Sequence, residues 1–150
     1  MREILFRGQR VDNGEWVEGI FYQHPLTKEC FVGVHDYNSY SIAYMGNMGC
    51  PVFNKVDPAT VGQFTGLIDK NGKRIFEGDI IKHYNSFNDP EAYAVGYVYY
   101  FEGRCMWKRT TSDDFNSTGK PMGDPALSAK AKYEVIGNIY DNPELREVQG

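Results

Sequence analysis

Six side chains in this 150-residue sequence have the chemistry of soft-metal ligands or nucleophiles: His24, His35, His83, Cys30, Cys50 and Cys105. They do not stand at the spacings a metal site needs, since no C-x-x-C, H-x-H or H-E-x-x-H occurs. Cys30 and His35 are five apart in an apolar run, and an odd spacing on a strand sends side chains to opposite faces. His24 could meet Cys30 across the turn at Pro25, but two ligands do not close a zinc site. For acid–base chemistry the carboxylates are Asp36, Glu77, Asp79, Asp113 and Asp114. Glu77 and Asp79 share a parity, yet Gly78 between them reads as a turn in which Asp79 bonds nearby backbone. Asp113-Asp114 falls in a polar stretch, a poor scaffold for positioned catalysis. There is no G-x-S-x-G. Cys50 precedes Pro51 in a Gly-rich loop with no evident base, and Gly46-x-x-Gly49 lacks the Lys and helix of a phosphate cradle. Asn116-Ser117-Thr118 is a chance sequon in a cytosolic chain. These residues point away from catalysis, metals and cofactors, and towards function by binding.

Contact chemistry is the richer signal. The sequence holds 11 Tyr, 9 Phe and 16 Gly, and Tyr offers a large contact area with a polar tip. Residues 93–101 and 104–110 read as a hairpin turning at Glu102-Gly103. A two-residue loop there pairs Tyr99 with Met106, Tyr97 with Lys108 and Val98 with Trp107. One face then carries Tyr93, Val95, Tyr97, Tyr99, Phe101, Met106 and Lys108; the other carries Val98, Tyr100, Cys105, Trp107 and Arg109. A small barrel has one inner face, so one aromatic set must be covered by another part of the chain, a second subunit or a ligand. Tyr97, Tyr99, Trp107, Lys108 and Arg109 are the candidate binding residues, able to stack on a base or nucleotide. Packing within the chain or between subunits is the duller alternative.

The elements that must position such residues are short strands. Aromatics favour strands and Gly favours turns and bulges, so the chain reads as mostly β. Residues 3–8 and 16–22 form a first hairpin around Asp12-Asn13-Gly14, with Gly19 marking a bulge or close approach. Strands follow at 29–35 and, more weakly, at 40–45. Asp57-Pro58 starts a helical turn, as N-cap and first helical residue. Asn71-Gly72 signals a hairpin between two apolar pairs, and residues 80–84 resume as a strand. Residues 111–126 read as a long exposed loop, 126–132 as one or two helical turns, and 134–140 as a last strand stopped by Asn142-Pro143. The strand count suits a small barrel or sandwich, with a boundary near residue 57 separating 1–56 from 57–150.

Net charge is −4, so the chain lacks a global basic footprint and nucleic acid is a disfavoured partner. Three scattered cysteines suit reduced thiols in a cytosol. No signal peptide or membrane span is evident. The expectation is a cytoplasmic protein with no membrane partner.

Three segments together resemble the YopX family of phages and prophages: REILFR at 2–7, TVGQFTGLIDKNGKRIFEGDI at 60–80 and EVIGNIYDNPEL at 134–145. The resemblance implies an N-terminal β-rich part and a C-terminal SH3-like β-barrel. It implies no established activity and transfers no site residue. The 111–126 loop looks longer than many relatives carry. The motifs themselves read as fold determinants, with Gly137 letting a strand bend. The expected function is that of a non-catalytic phage accessory protein, a homo-oligomer in the bacterial host cytoplasm that binds a host protein or small ligand. Its alternatives are sequestration of a nucleotide defence signal and binding of single-stranded nucleic acid by the barrel.

Overall fold

Glu102 and Gly103 both adopt positive φ, 46° and 83°, the pairing that a tight turn needs to match the right-handed twist of its strands. The turn fixes the register that the sequence anticipates: Tyr97 opposite Lys108, Val98 opposite Trp107 and Tyr99 opposite Met106. These strands come from a computed structural model that describes residues 3–34, 52–84, 92–110 and 126–146, the side chain of Arg109 excepted. The described chain is mostly β. Its strands are β1 (Phe6–Gln9), β2 (Trp16–Gln23), β3 (Cys30–Val34), β4 (Val52–Val56), β5 (Gly62–Ile68), β6 (Arg74–Phe76), β7 (Asp79–Tyr84), β8 (Tyr93–Phe101), β9 (Arg104–Arg109) and β10 (Lys132–Asn138). A 3-10 turn spans Pro58–Thr60, and one short helix, α1, spans Pro143–Arg146. No described helix is long and apolar enough to cross a membrane.

The chain divides into two compact units, Met1–Phe64 and Thr65–Gly150. Residue 57, where the sequence suggests a boundary, is the cap of the 3-10 turn: Asp57 accepts from Ala59 N at 3.0 Å. The chain then returns to pair Gly62 and Gln63 with β1 before it leaves the first unit.

In the first unit β1 pairs with β2, β2 with β3 and β3 with β4, all antiparallel. Alternation along these strands sends Cys30, Val32 and Val56 inward, with Val17, Phe21 and Val61 packed against them. Gly19 is a point of close approach. A Cβ built there would lie 2.0 Å from the Gly33 carbonyl oxygen, so the backbones of β2 and β3 leave no room for a side chain. β4 has no counterpart in the sequence reading; the weaker strand at 40–45 and the loop at 111–125 lie outside the described residues.

In the second unit the order is β10-β7-β8-β9. The inner face carries Ile81, Val98, Trp107 and Tyr133, and the β5–β6 hairpin lays Ile75 and Leu67 on the same cluster. That hairpin turns on Asp69 rather than on a two-residue Asn-Gly loop. Within the turn between the strands Gly72 takes positive φ (81°) and Asn71 does not, and Asp69 Oδ1 accepts from Asn71 N and Lys73 N.

The sheets are open. The second sheet ends on β9 and β10, and the β5–β6 turn reaches it through the backbone at one bond, Lys70 N to Tyr133 O. A closed SH3-like barrel is therefore replaced by two antiparallel sheets. The helical turns expected over 126–132 are absent as well. Ala126 bridges to Met106, Ser128 N donates to the Tyr133 hydroxyl, and Lys132 begins β10. Edge pairing satisfies that backbone in place of a helix. A bulge between Val135 and Gly137 bends β10, as its Gly suggests.

Candidate functional site

The hairpin's two faces separate the five sequence candidates. Trp107 is 1% exposed, packed in the inner cluster with the His83 ring tilted against it at 5.1 Å between centroids. It is a core residue, and its indole offers no surface on which a ligand could stack. Arg109 shares that parity, and its side chain lies outside those described. Tyr97, Tyr99 and Lys108 stand on the outer face, where the two tyrosine rings lie 6.1 Å apart and Arg146 of α1 sits over Tyr97 at 4.9 Å.

Register extends this outer face across the whole sheet. Tyr84 is opposite Tyr93, Lys82 opposite Val95 and Ile80 opposite Tyr97; Lys132 is opposite Tyr84 and Glu134 opposite Lys82. Alternation therefore gathers Tyr84, Tyr93, Lys82, Lys132 and Glu134 on the side away from Trp107. Lys70 joins them from the β5–β6 turn. The result is a basic–aromatic cluster that no single stretch of sequence displays.

Its geometry is specific. Tyr84 and Tyr93 lie 5.9 Å apart. The Lys82 ammonium sits 4.3 Å from the Tyr93 centroid, and those of Lys70 and Lys132 at 4.4 and 5.5 Å from that of Tyr84, within the range of cation–π attraction. Lys70 Nζ donates to the Tyr84 hydroxyl at 3.0 Å, which donates to Glu134 Oε2 at 2.5 Å; Lys70 also meets that carboxylate at 2.6 Å. Hydrogen bonds to Glu134 first, then Tyr84, hold the Lys70 ammonium well above its usual range. The same contacts, Lys70 first and then Tyr84, hold the Glu134 carboxyl below its ordinary value. Tyr93 is 52% exposed, so one ring of the cluster stands open to solvent. Ile80 and Val95, between the two tyrosine pairs, are buried.

The four strands contribute Lys82, Arg104, Lys108 and Lys132 to this face against a single carboxylate, Glu134. Such an arrangement can neutralise phosphates and stack flat rings. The buried carboxylates of the unit are engaged elsewhere: Asp79 Oδ2 accepts from Phe76 N, and Asp69 Oδ2 accepts from Val135 N.

The first unit carries a different surface. Tyr22, His24, Phe31 and Phe53 line an open apolar depression of about 340 Å³. Tyr22 is its hub, with Phe31 and Phe53 both at 6.1 Å and His24 at 6.5 Å. Tyr22 and Phe53 are 45% and 48% exposed. Its members come from β2, the turn that follows it, β3 and β4, and sequence reasoning missed it because β4 carries no clear alternation.

A family model described as YopX protein matches residues 6–147. Among curated proteins none matches. Among solved structures, the chain is similar to the crystal structure of protein EF1440 from Enterococcus faecalis. The two are 21% identical, with a TM-score of 0.55 over 98% of this chain and 100% of that one. At that identity the likeness is one of fold.

Proposed function

The chain belongs to the YopX family, and on that premise we propose that it is a non-catalytic phage accessory protein that acts by binding, through the outer face of its second sheet. The single observation behind this reading is the cluster of Lys70, Lys82 and Lys132 around the Tyr84–Tyr93 pair. Cations held against aromatic rings, that of Tyr93 open to solvent, suit a ligand that is itself anionic and flat-ringed, which is the chemistry of a nucleotide or an unpaired nucleic-acid strand. Sequestration of a nucleotide signal is the small-ligand form of this activity. Thermal shift and calorimetric titration against nucleotides and short oligonucleotides test it. Stabilisation by at least one of them is expected, by about 2.7 kcal/mol at a hundredfold excess over Kd. No shift with any at low salt would sink the reading.

A second reading rests on the Tyr22–Phe31–Phe53 depression. Clustered exposed aromatics are the usual anchors of a protein interface, so this surface suits a host protein or a second copy of the chain. Light scattering should find a homo-oligomer that dissociates on Phe53→Ser. A clean monomer for the unsubstituted chain would remove the second copy.

A further inference from the structure

We infer that the outer face of the second sheet takes a single strand of nucleic acid laid along β8, rather than one nucleotide; this rests on the reading of that face as the binding surface. Tyr93, Tyr97, Tyr99 and Phe101 all belong to one side of one strand. At a rise of about 3.3 Å per residue, the Tyr93 and Tyr97 backbone positions are about 13 Å apart. A lone base can cover the exposed ring of Tyr93 or that of Phe101, not both, and the half-buried Tyr97 between them has Arg146 over its ring. A run of nucleotides can cover both, because every base presents a π face to an aromatic ring.

The cations follow the same line. Lys70, Lys82 and Lys132 surround the Tyr84–Tyr93 pair, while Lys108 is opposite Tyr97 and Arg146 sits over its ring. A site for one nucleotide would converge its cations on one phosphate group. These are spread along the row, as a sugar–phosphate backbone requires. The charge is complementary as well: four strand cations face one carboxylate, in a chain whose net charge is −4. Bases in a duplex are stacked on one another and closed to these rings, whereas unpaired bases are open to them.

The test is a fluorescence-anisotropy titration of the full chain with labelled oligo-dT and oligo-U of two to eight nucleotides. A duplex of the same length, and dTMP and UMP as competitors, complete the set. Affinity should rise about tenfold or more between the dinucleotide and the hexanucleotide and fall with added salt. Tyr93→Ala and Lys82→Ala should each weaken the hexamer about tenfold, with the melting temperature checked alongside. A mononucleotide that matches the hexamer would overturn the strand while leaving a nucleotide site on the same face. Equal affinity for the duplex, or hexamer binding indifferent to both substitutions, would overturn it too. Absence of binding by any probe at low salt would overturn this inference and the reading beneath it.

Discussion

Asp69 spends its carboxylate on the fold. One oxygen accepts from Asn71 N and Lys73 N at 2.8 and 2.9 Å, closing the β5–β6 turn, and the other accepts from Val135 N at 3.0 Å, tying that turn to β10. Removing a buried acceptor leaves its donors unsatisfied. Asp69→Ala should therefore destabilise the chain by about 3 kcal/mol in a urea titration, and a loss below about 0.5 kcal/mol would refute this role. Glu134 gives a pH-dependent counterpart. Its folded pKa lies below the ordinary 4.5 because Lys70 and Tyr84 bond its charged form. The stabilisation is present above about pH 4.5 and is lost as pH falls through the lower folded value. The gap in melting temperature between the unsubstituted chain and Glu134→Gln should narrow as pH falls from 7 to below the ordinary 4.5; a constant gap contradicts it. The sequence shows Asp79 as a turn carboxylate, and it is one. It does not show Asp69's third partner, which lies 66 residues on.

At the scale of elements, the 93–110 hairpin was legible because a turn with two positive-φ positions sets the register of everything beyond it. Which face turns inward was not, since both faces are aromatic. The β5–β6 hairpin decides it by packing Ile75 and Leu67 against Trp107. Trp107→Ala should destabilise the fold by about 4 kcal/mol, and Tyr93→Ala by less than about 1 kcal/mol; equal losses would mean the faces are misassigned. Gly19 was legible as a tight point, and the structure supplies its neighbour. A Cβ there meets the Gly33 carbonyl at 2.0 Å, so Gly19→Ala should cost about 3 kcal/mol by forcing β2 and β3 apart. A variant as stable as the unsubstituted chain would refute the close approach. β4 was not legible. Val52 and Phe53 are both exposed, so its residues do not alternate between apolar-inward and polar-outward as a half-buried strand should.

At the scale of the whole molecule, the net charge of −4 is a poor guide to its surfaces. The sequence gives the parity of each strand but not the order β10-β7-β8-β9. That order brings Lys132, Lys82 and Tyr93 to one face from positions fifty residues apart at the extremes. Composition disfavours nucleic acid, and the local arrangement favours it, because phosphates respond to charge within a Debye length, about 8 Å at physiological salt. The direct test is a two-dimensional amide NMR titration of the full chain with unlabelled oligo-dT hexamer. The account predicts that the perturbed amides gather on β7, β8 and β10 around Tyr84, Tyr93, Lys82 and Lys132. Perturbations gathered instead at Tyr22, Phe31 and Phe53, or none at all at low salt, would contradict it.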